Sequence, residues 1–180
     1  MKKLVILGIV VLVLVMILVL FLPCLLYKVK ADNPEIVIWF QTDNSQCGII
    51  QNTNGVGDGV VDKIDENGLV TPFIKDKEVF IPLAKLVAIL EGKTKWDKDK
   101  RMVTIIFQNG LIKIRLWVGK ATAEMINGDS AQKFKLNTAP VIEYGRTFVP
   151  LDFIRKVLQP SDIIWDSELN LLILIWPLGI

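Results

Sequence analysis

Phe80-Ile81-Pro82-Leu83 returns 68 residues later as Phe148-Val149-Pro150-Leu151. The correspondence extends upstream, where Pro72-Phe73-Ile74 matches Pro140-Val141-Ile142, and downstream, where Leu86 and Leu90 match Ile154 and Leu158. After one inserted residue, Trp96-Asp97 matches Trp165-Asp166, and Val103, Ile105 and Phe107 match Leu172, Leu174 and Trp176. Self-similarity at a fixed offset marks two copies of one supersecondary unit. The copies cover about residues 70–108 and 138–177.

Both copies have the same local logic. A short apolar segment leads into a polar turn, Lys75-Asp76-Lys77-Glu78 or Glu143-Tyr144-Gly145-Arg146, and a second apolar segment follows. That is a hairpin signal. Pro82 and Pro150 then open a helix, since proline suits its first turn. Leu83, Leu86, Val87 and Leu90 share one helical face, as do Leu151, Ile154, Val157 and Leu158. Gly92 is a stop for the first helix, and Pro160 limits the second. A second hairpin ends each unit, turning at Asp97–Lys100 and at Asp166–Glu168.

Outside the repeat, Glu35–Phe40, Leu111–Val118 and Ala121–Ile126 read as further strands, with Asn109-Gly110 and Asn127-Gly128 as turns. The expected class is α+β. It consists of antiparallel sheet and hairpins packed on short helices, in two β-hairpin–helix–β-hairpin units after an N-terminal hydrophobic helix.

That helix is expected over Leu4–Tyr27, an uncharged run behind Lys2-Lys3. At about 1.5 Å per residue it would span roughly 36 Å, enough to cross a bilayer core. Two readings stay open for residues 1–31: an uncleaved membrane anchor, or a signal peptide cleaved after Ala31. Cys24 follows Pro23, which is a poor lipoprotein signal. Either reading puts the domain at 35–177 outside the cell, secreted or held at the membrane.

The chain of 180 residues carries a formal charge of +2. Removing residues 1–31 takes four lysines and no acid, leaving 17 basic against 19 acidic residues. Such a domain has no basic stripe, and nucleic acid is not an expected partner. Histidine is absent, which excludes Ser-His-Asp and Cys-His catalysis and histidine-ligated metal centres. Two cysteines make no disulfide framework, and only Cys47 would survive processing. Its role stays open.

Three further groups of residues come into question. Asn54, Asp58, Gly59, Asp62 and Asp65 fall at positions 1, 5, 6, 9 and 12 of a calcium-loop frame, but Val56 stands where an oxygen ligand is needed. A solvated loop over 52–65 is the plainer expectation. Asp97 and Asp166 follow tryptophans, yet their repeated placement at turn starts suits backbone hydrogen bonding rather than acid/base work. Of the five tryptophans, Trp39, Trp96, Trp165 and Trp176 are expected in the core, whereas Trp117 is the best exposed candidate.

The strings Ile126-Asn127-Gly128, Ala139-Pro140-Val141-Ile142, Gly145-Arg146-Thr147-Phe148-Val149-Pro150-Leu151 and Trp165-Asp166 resemble the copper amine oxidase N-terminal-like, or stalk, domain of bacteria. Pro72–Asp97 resembles another copy of the motif. The resemblance implies a non-catalytic accessory domain, with copper and the quinone cofactor held by a separate catalytic domain. The family pattern places arginine directly after Val-Pro-Leu, where this chain has Ala84 and Asp152. That departure bears on surfaces shared with family members; with no histidine and the catalysis implied to lie in another domain, no catalytic, cofactor-binding or metal residue and no cofactor is expected. The expected role is a cell-surface structural or interaction module, with a cell-wall polymer or another surface protein as partner. The alternative is a module that binds cell-wall glycan or peptide.

Overall fold

The computed structural model describes residues 35–53 and 56–177. All of them belong to one compact unit, Pro34–Ile180. The strands are β1 (Glu35–Gln41), β2 (Gln46–Thr53), β3 (Val56–Lys63), β4 (Phe73–Lys75) and β5 (Glu78–Pro82). Helix α1 (Leu83–Ile89) precedes β6 (Lys93–Asp97), β7 (Met102–Phe107), β8 (Ile112–Trp117), β9 (Thr122–Asn127) and β10 (Ser130–Lys135). Then come β11 (Val141–Glu143), β12 (Arg146–Pro150), α2 (Leu151–Phe153, continued by a π-turn over Ile154–Leu158), β13 (Asp162–Asp166) and β14 (Leu171–Pro177).

This composition corrects the α+β expectation. The described fold is mostly antiparallel sheet, and its two helices are short. The difference lies in β2, β3 and β10: β3 and the end of β2 fall in the loop expected over 52–65, and neither 46–51 nor 130–135 carries a strand expectation. Gly48, Gly57, Asp58 and Gly59 are poor strand formers, but β2 is pinned in register against β1, from Asn52 opposite Glu35 to Cys47 opposite Phe40. Tertiary pairing thus overrides local propensity. The hydrophobic helix expected over Leu4–Tyr27 lies outside the described residues. Among those described, no helix is long and apolar enough to cross a membrane.

Among the described residues three sheets form, and every strand pairing is antiparallel. Two have five strands, in the orders β13-β14-β1-β2-β3 and β6-β7-β8-β9-β10; the third has four, in the order β11-β12-β5-β4. In the four-stranded sheet β5 lies against β12, with Phe80 opposite Pro150, Ile81 opposite Val149 and Pro82 opposite Phe148. These are the repeated residues, related by a local two-fold axis through the Ile81–Val149 pair.

The two-fold relates more of the chain than the linear repeat does. Strands β8-β9-β10 extend the first unit's last hairpin, and β1-β2-β3 extend the second's. The second unit is therefore circularly permuted, its final three strands lying at the start of the described chain. Backbone hydrogen bonds repeat in pairs. The Val118 amide donates to the Arg101 carbonyl at 2.9 Å, as Thr42 donates to Asn170 at 3.1 Å. Gly119 donates to Pro140, and Asp43 to Pro72, both at 2.9 Å. Leu136 donates to Ala121 at 3.0 Å, and Ile64 to Ser45 at 2.8 Å.

One core serves both halves. Ile38, Phe40, Leu174 and Trp176 from one five-stranded sheet, Ile105, Ile114 and Leu116 from the other, and Phe80, Ile81, Phe148 and Val149 between them are buried in a single cluster with Leu86 and Phe153 of the helices. The first hairpin of each unit turns on two left-handed residues, Asp76 and Lys77 or Tyr144 and Gly145, the geometry that matches strand twist. Helix α1 ends differently from expectation. The left-handed residue is Glu91 rather than Gly92. Gly92 instead gives room to Phe107, whose ring carbon would lie 2.5 Å from an added Cβ.

Candidate functional site: two related clefts

Each half contributes a tryptophan near the end of an edge strand, Trp96 on β6 and Trp165 on β13, and the start of a helix. The hairpin turn of the opposite half faces them. The result is two clefts related by the local two-fold.

The first, of about 360 Å³, is lined by Leu83, Ala84, Thr94, Trp96, Val103, Ile142, Gly145, Arg146 and Thr147. The second, of about 260 Å³, is lined by Lys77, Glu78, Val79, Asn137, Leu151, Asp152, Arg155 and Trp165. Leu83 corresponds to Leu151, Ala84 to Asp152, Trp96 to Trp165, Gly145 to Lys77 and Arg146 to Glu78.

The substitutions between them are chemical opposites. In the second cleft Asp152 is buried, 7% exposed. Its carboxylate accepts from the Asn137 amide at 2.7 Å and side chain at 3.2 Å and pairs with Lys156 at 3.0 Å. The Glu78 carboxylate accepts from the Asp152 amide at 3.0 Å. The chain's own donors thus engage both carboxylates that line that cleft. In the first, Ala84 and Gly145 are too small to reach across, and arginine replaces the glutamate. Trp96 is left 43% exposed, beside Ile142 at 39%.

Trp96 is therefore not a core residue, contrary to the expectation drawn from its repeat partner. Trp165 is half-buried and packs against the core. Trp176 is fully buried, and its indole N–H donates to the Leu158 carbonyl at 3.2 Å. Trp39 is half-buried and lies over Gly48, where an added Cβ would fall 1.6 Å from Nε1. Trp117 is half-buried, so Trp96 takes its place as the exposed tryptophan. The open cleft itself was not legible in the sequence. Its signal is Ala84 and Gly145 standing where the other unit has Asp152 and Lys77, which becomes meaningful only once the two-fold is known.

The calcium-frame residues do not assemble into a loop. Asn54 lies outside the described residues. Asp58, Gly59 and Asp62 lie on β3, where four residues of strand separate Asp58 from Asp62 by roughly 13 Å. Asp65 instead caps a turn, accepting from the Leu69 and Val70 amides. Asp62 bonds Lys85, which, with the Lys63 amide, lowers its pKa. Asp97 accepts from the Lys100 amide at 3.0 Å, the main cause of its lowered pKa. Asp166 accepts from Glu168 and Leu169 at 2.9 and 3.0 Å. The two aspartates sit in different sheets, each closing a turn.

Cys47 is buried at the position equivalent to Ala123, and its thiol lies 3.7 Å from the Asp62 carbonyl. Burial pushes its pKa up to about 11, with Lys85 opposing and Asp62 adding to the shift. A buried, protonated thiol is a poor nucleophile.

A family model described as copper amine oxidase N-terminal domain matches residues 60–174, more than half of the chain. No curated protein and no solved structure matches. The residues here do not fit a copper centre. The sequence has no histidine, and no three Cys, Asp or Glu side chains among the described residues converge as a metal site would require.

Proposed function

Because the chain belongs to the copper amine oxidase N-terminal domain family, we propose that it is a non-catalytic interaction module that binds its partner in the Trp96 cleft. The N-terminal domain of copper amine oxidases is itself non-catalytic. The observation that carries the reading is the contrast between the clefts: one lined by Asp152 and Glu78, whose carboxylates are engaged by the chain's own donors, the other lined by the small Ala84 and Gly145 around an exposed tryptophan. An exposed indole keeps a large apolar area in water, and binding recovers it.

The module works outside the cell. Lys2-Lys3 and the apolar run Leu4–Tyr27 act as its export signal or anchor. Its partner there is a cell-wall polymer. Co-sedimentation of the purified chain with bacterial cell-wall sacculi tests this. Bound protein should fall several-fold with Trp96→Ala and stay unchanged with Trp117→Ala. Equal sedimentation of wild type and Trp96→Ala would exclude the cleft.

A further inference from the structure

We infer that the Trp96 cleft takes a carboxylate-bearing saccharide, with a sugar face on the indole and the carboxylate on Arg146. The inference rests on the binding reading above and adds the ligand's chemistry. Arg146 is the one charged residue lining the cleft, and among the described residues it has no ion-pair partner. A guanidinium fork matches a planar carboxylate with two parallel hydrogen bonds.

The related cleft gives an internal contrast. Where the first cleft has Ala84, the second holds the Asp152 carboxylate, bonded by Asn137 and Lys156. The first cleft repeats neither that carboxylate nor its cation, since Lys156 corresponds to Ala88; Arg146 is the cation it offers instead. With alanine at that position the first cleft supplies none, and Arg146 replaces Glu78 at the lip. Among the described residues, no carboxylate of the chain lines the first cleft to meet that guanidinium.

The remaining surface favours a sugar as its carrier. Trp96 and Thr94 lie two apart on β6, so they share a face, and Thr147 borders the cleft from β12. A flat indole flanked by two hydroxyls meets the C–H face and the hydroxyl rim of a pyranose. The volume of about 360 Å³ lies at the small end of ligand pockets and takes a short saccharide segment of a polymer rather than a long stretch of it.

Calorimetry on the full chain in detergent, using a glucuronate disaccharide, its methyl ester and an acetylated Glu-Glu peptide, tests the inference. The uronate should bind with quenching of tryptophan emission, and the ester about 10-fold or more weaker, as expected for losing a charged hydrogen-bonded pair. Arg146→Gln should weaken the uronate to the level of the ester and leave the ester unchanged. Trp96→Ala should abolish both. Equal binding of uronate and ester would overturn the carboxylate assignment. Binding of the peptide alone would overturn the saccharide. Silence with all three probes would overturn the inference, and retained sedimentation with sacculi would then show that the binding reading survives it.

Discussion

Ile81 faces Val149 across the β5–β12 pair, and the two residues are equivalents in the repeat. Both are fully buried. A residue paired with its own counterpart places the local two-fold axis of the domain. Burial there is shared by both halves, so the cost of losing it falls on the whole fold. Ile81→Ala should destabilise by about 2–5 kcal/mol, the range for truncating a buried isoleucine. Combining it with Val149→Ala should be non-additive by about 0.5–3 kcal/mol, as for residues in contact. Urea denaturation of the three variants gives both quantities; strict additivity would mean the pair does not couple the halves.

The tryptophans should separate by burial. Trp176→Ala should cost about 3–5 kcal/mol, because a fully buried aromatic is removed. Trp96→Ala should change stability by no more than about 0.5 kcal/mol, as an exposed substitution does. Thermal unfolding of both variants checks the ranking, and a large loss at Trp96 would place it in the core after all.

Gly48 lies opposite Trp39 in the β1–β2 register, and the indole occupies the space of a side chain at 48. Gly48→Ala should displace the indole and destabilise by about 1–3 kcal/mol, the usual cost of overpacking. In the background of Trp39→Ala the same substitution should cost much less. If the penalty persists there, the clash is not its cause.

Asp152→Ala should destabilise by about 1–3 kcal/mol, because it strips the partly buried Asn137 amide of its acceptor. Asp152→Asn keeps an acceptor and should lose less. Equal losses from the two variants, followed by chemical denaturation, would show that charge rather than hydrogen bonding matters at this position.

Cys47 sets a pH dependence with a defined sign. Its thiol ionises near 9.0 in an unfolded chain and near about 11 when folded. The folded state holds its proton longer, so the contribution is fully present below pH 9 and is lost as pH rises towards 11. Cys47→Ala should remove this component, and the twin position, Ala123, already holds alanine in a buried site. Stability measured from pH 8 to 11 should fall less steeply in the variant. Parallel curves would mean the thiol titrates alike in both states.

The sequence by itself determined the repeated hairpins, helix starts and turns, because these depend on near neighbours: proline after an apolar pair, alternating side chains, and polar turn residues. It could not reveal that β1–β3 complete the second unit. Their match to β8–β10 survives only on the inward face, where Ile36, Ile38 and Phe40 stand for Ile112, Ile114 and Leu116. On the other face the halves diverge: buried Val37 and half-buried Trp39 stand where the first half has the exposed Lys113 and Arg115. The exposure of Trp96 was equally beyond local reading. Whether an indole is covered depends on the helix start of its own half and the hairpin turn of the other, which supply Ala84 and Gly145 in one cleft and Asp152 and Lys77 in the other. Local preference acts along the chain, whereas pairing and coverage are settled between segments far apart in it, and only the tertiary structure decides those.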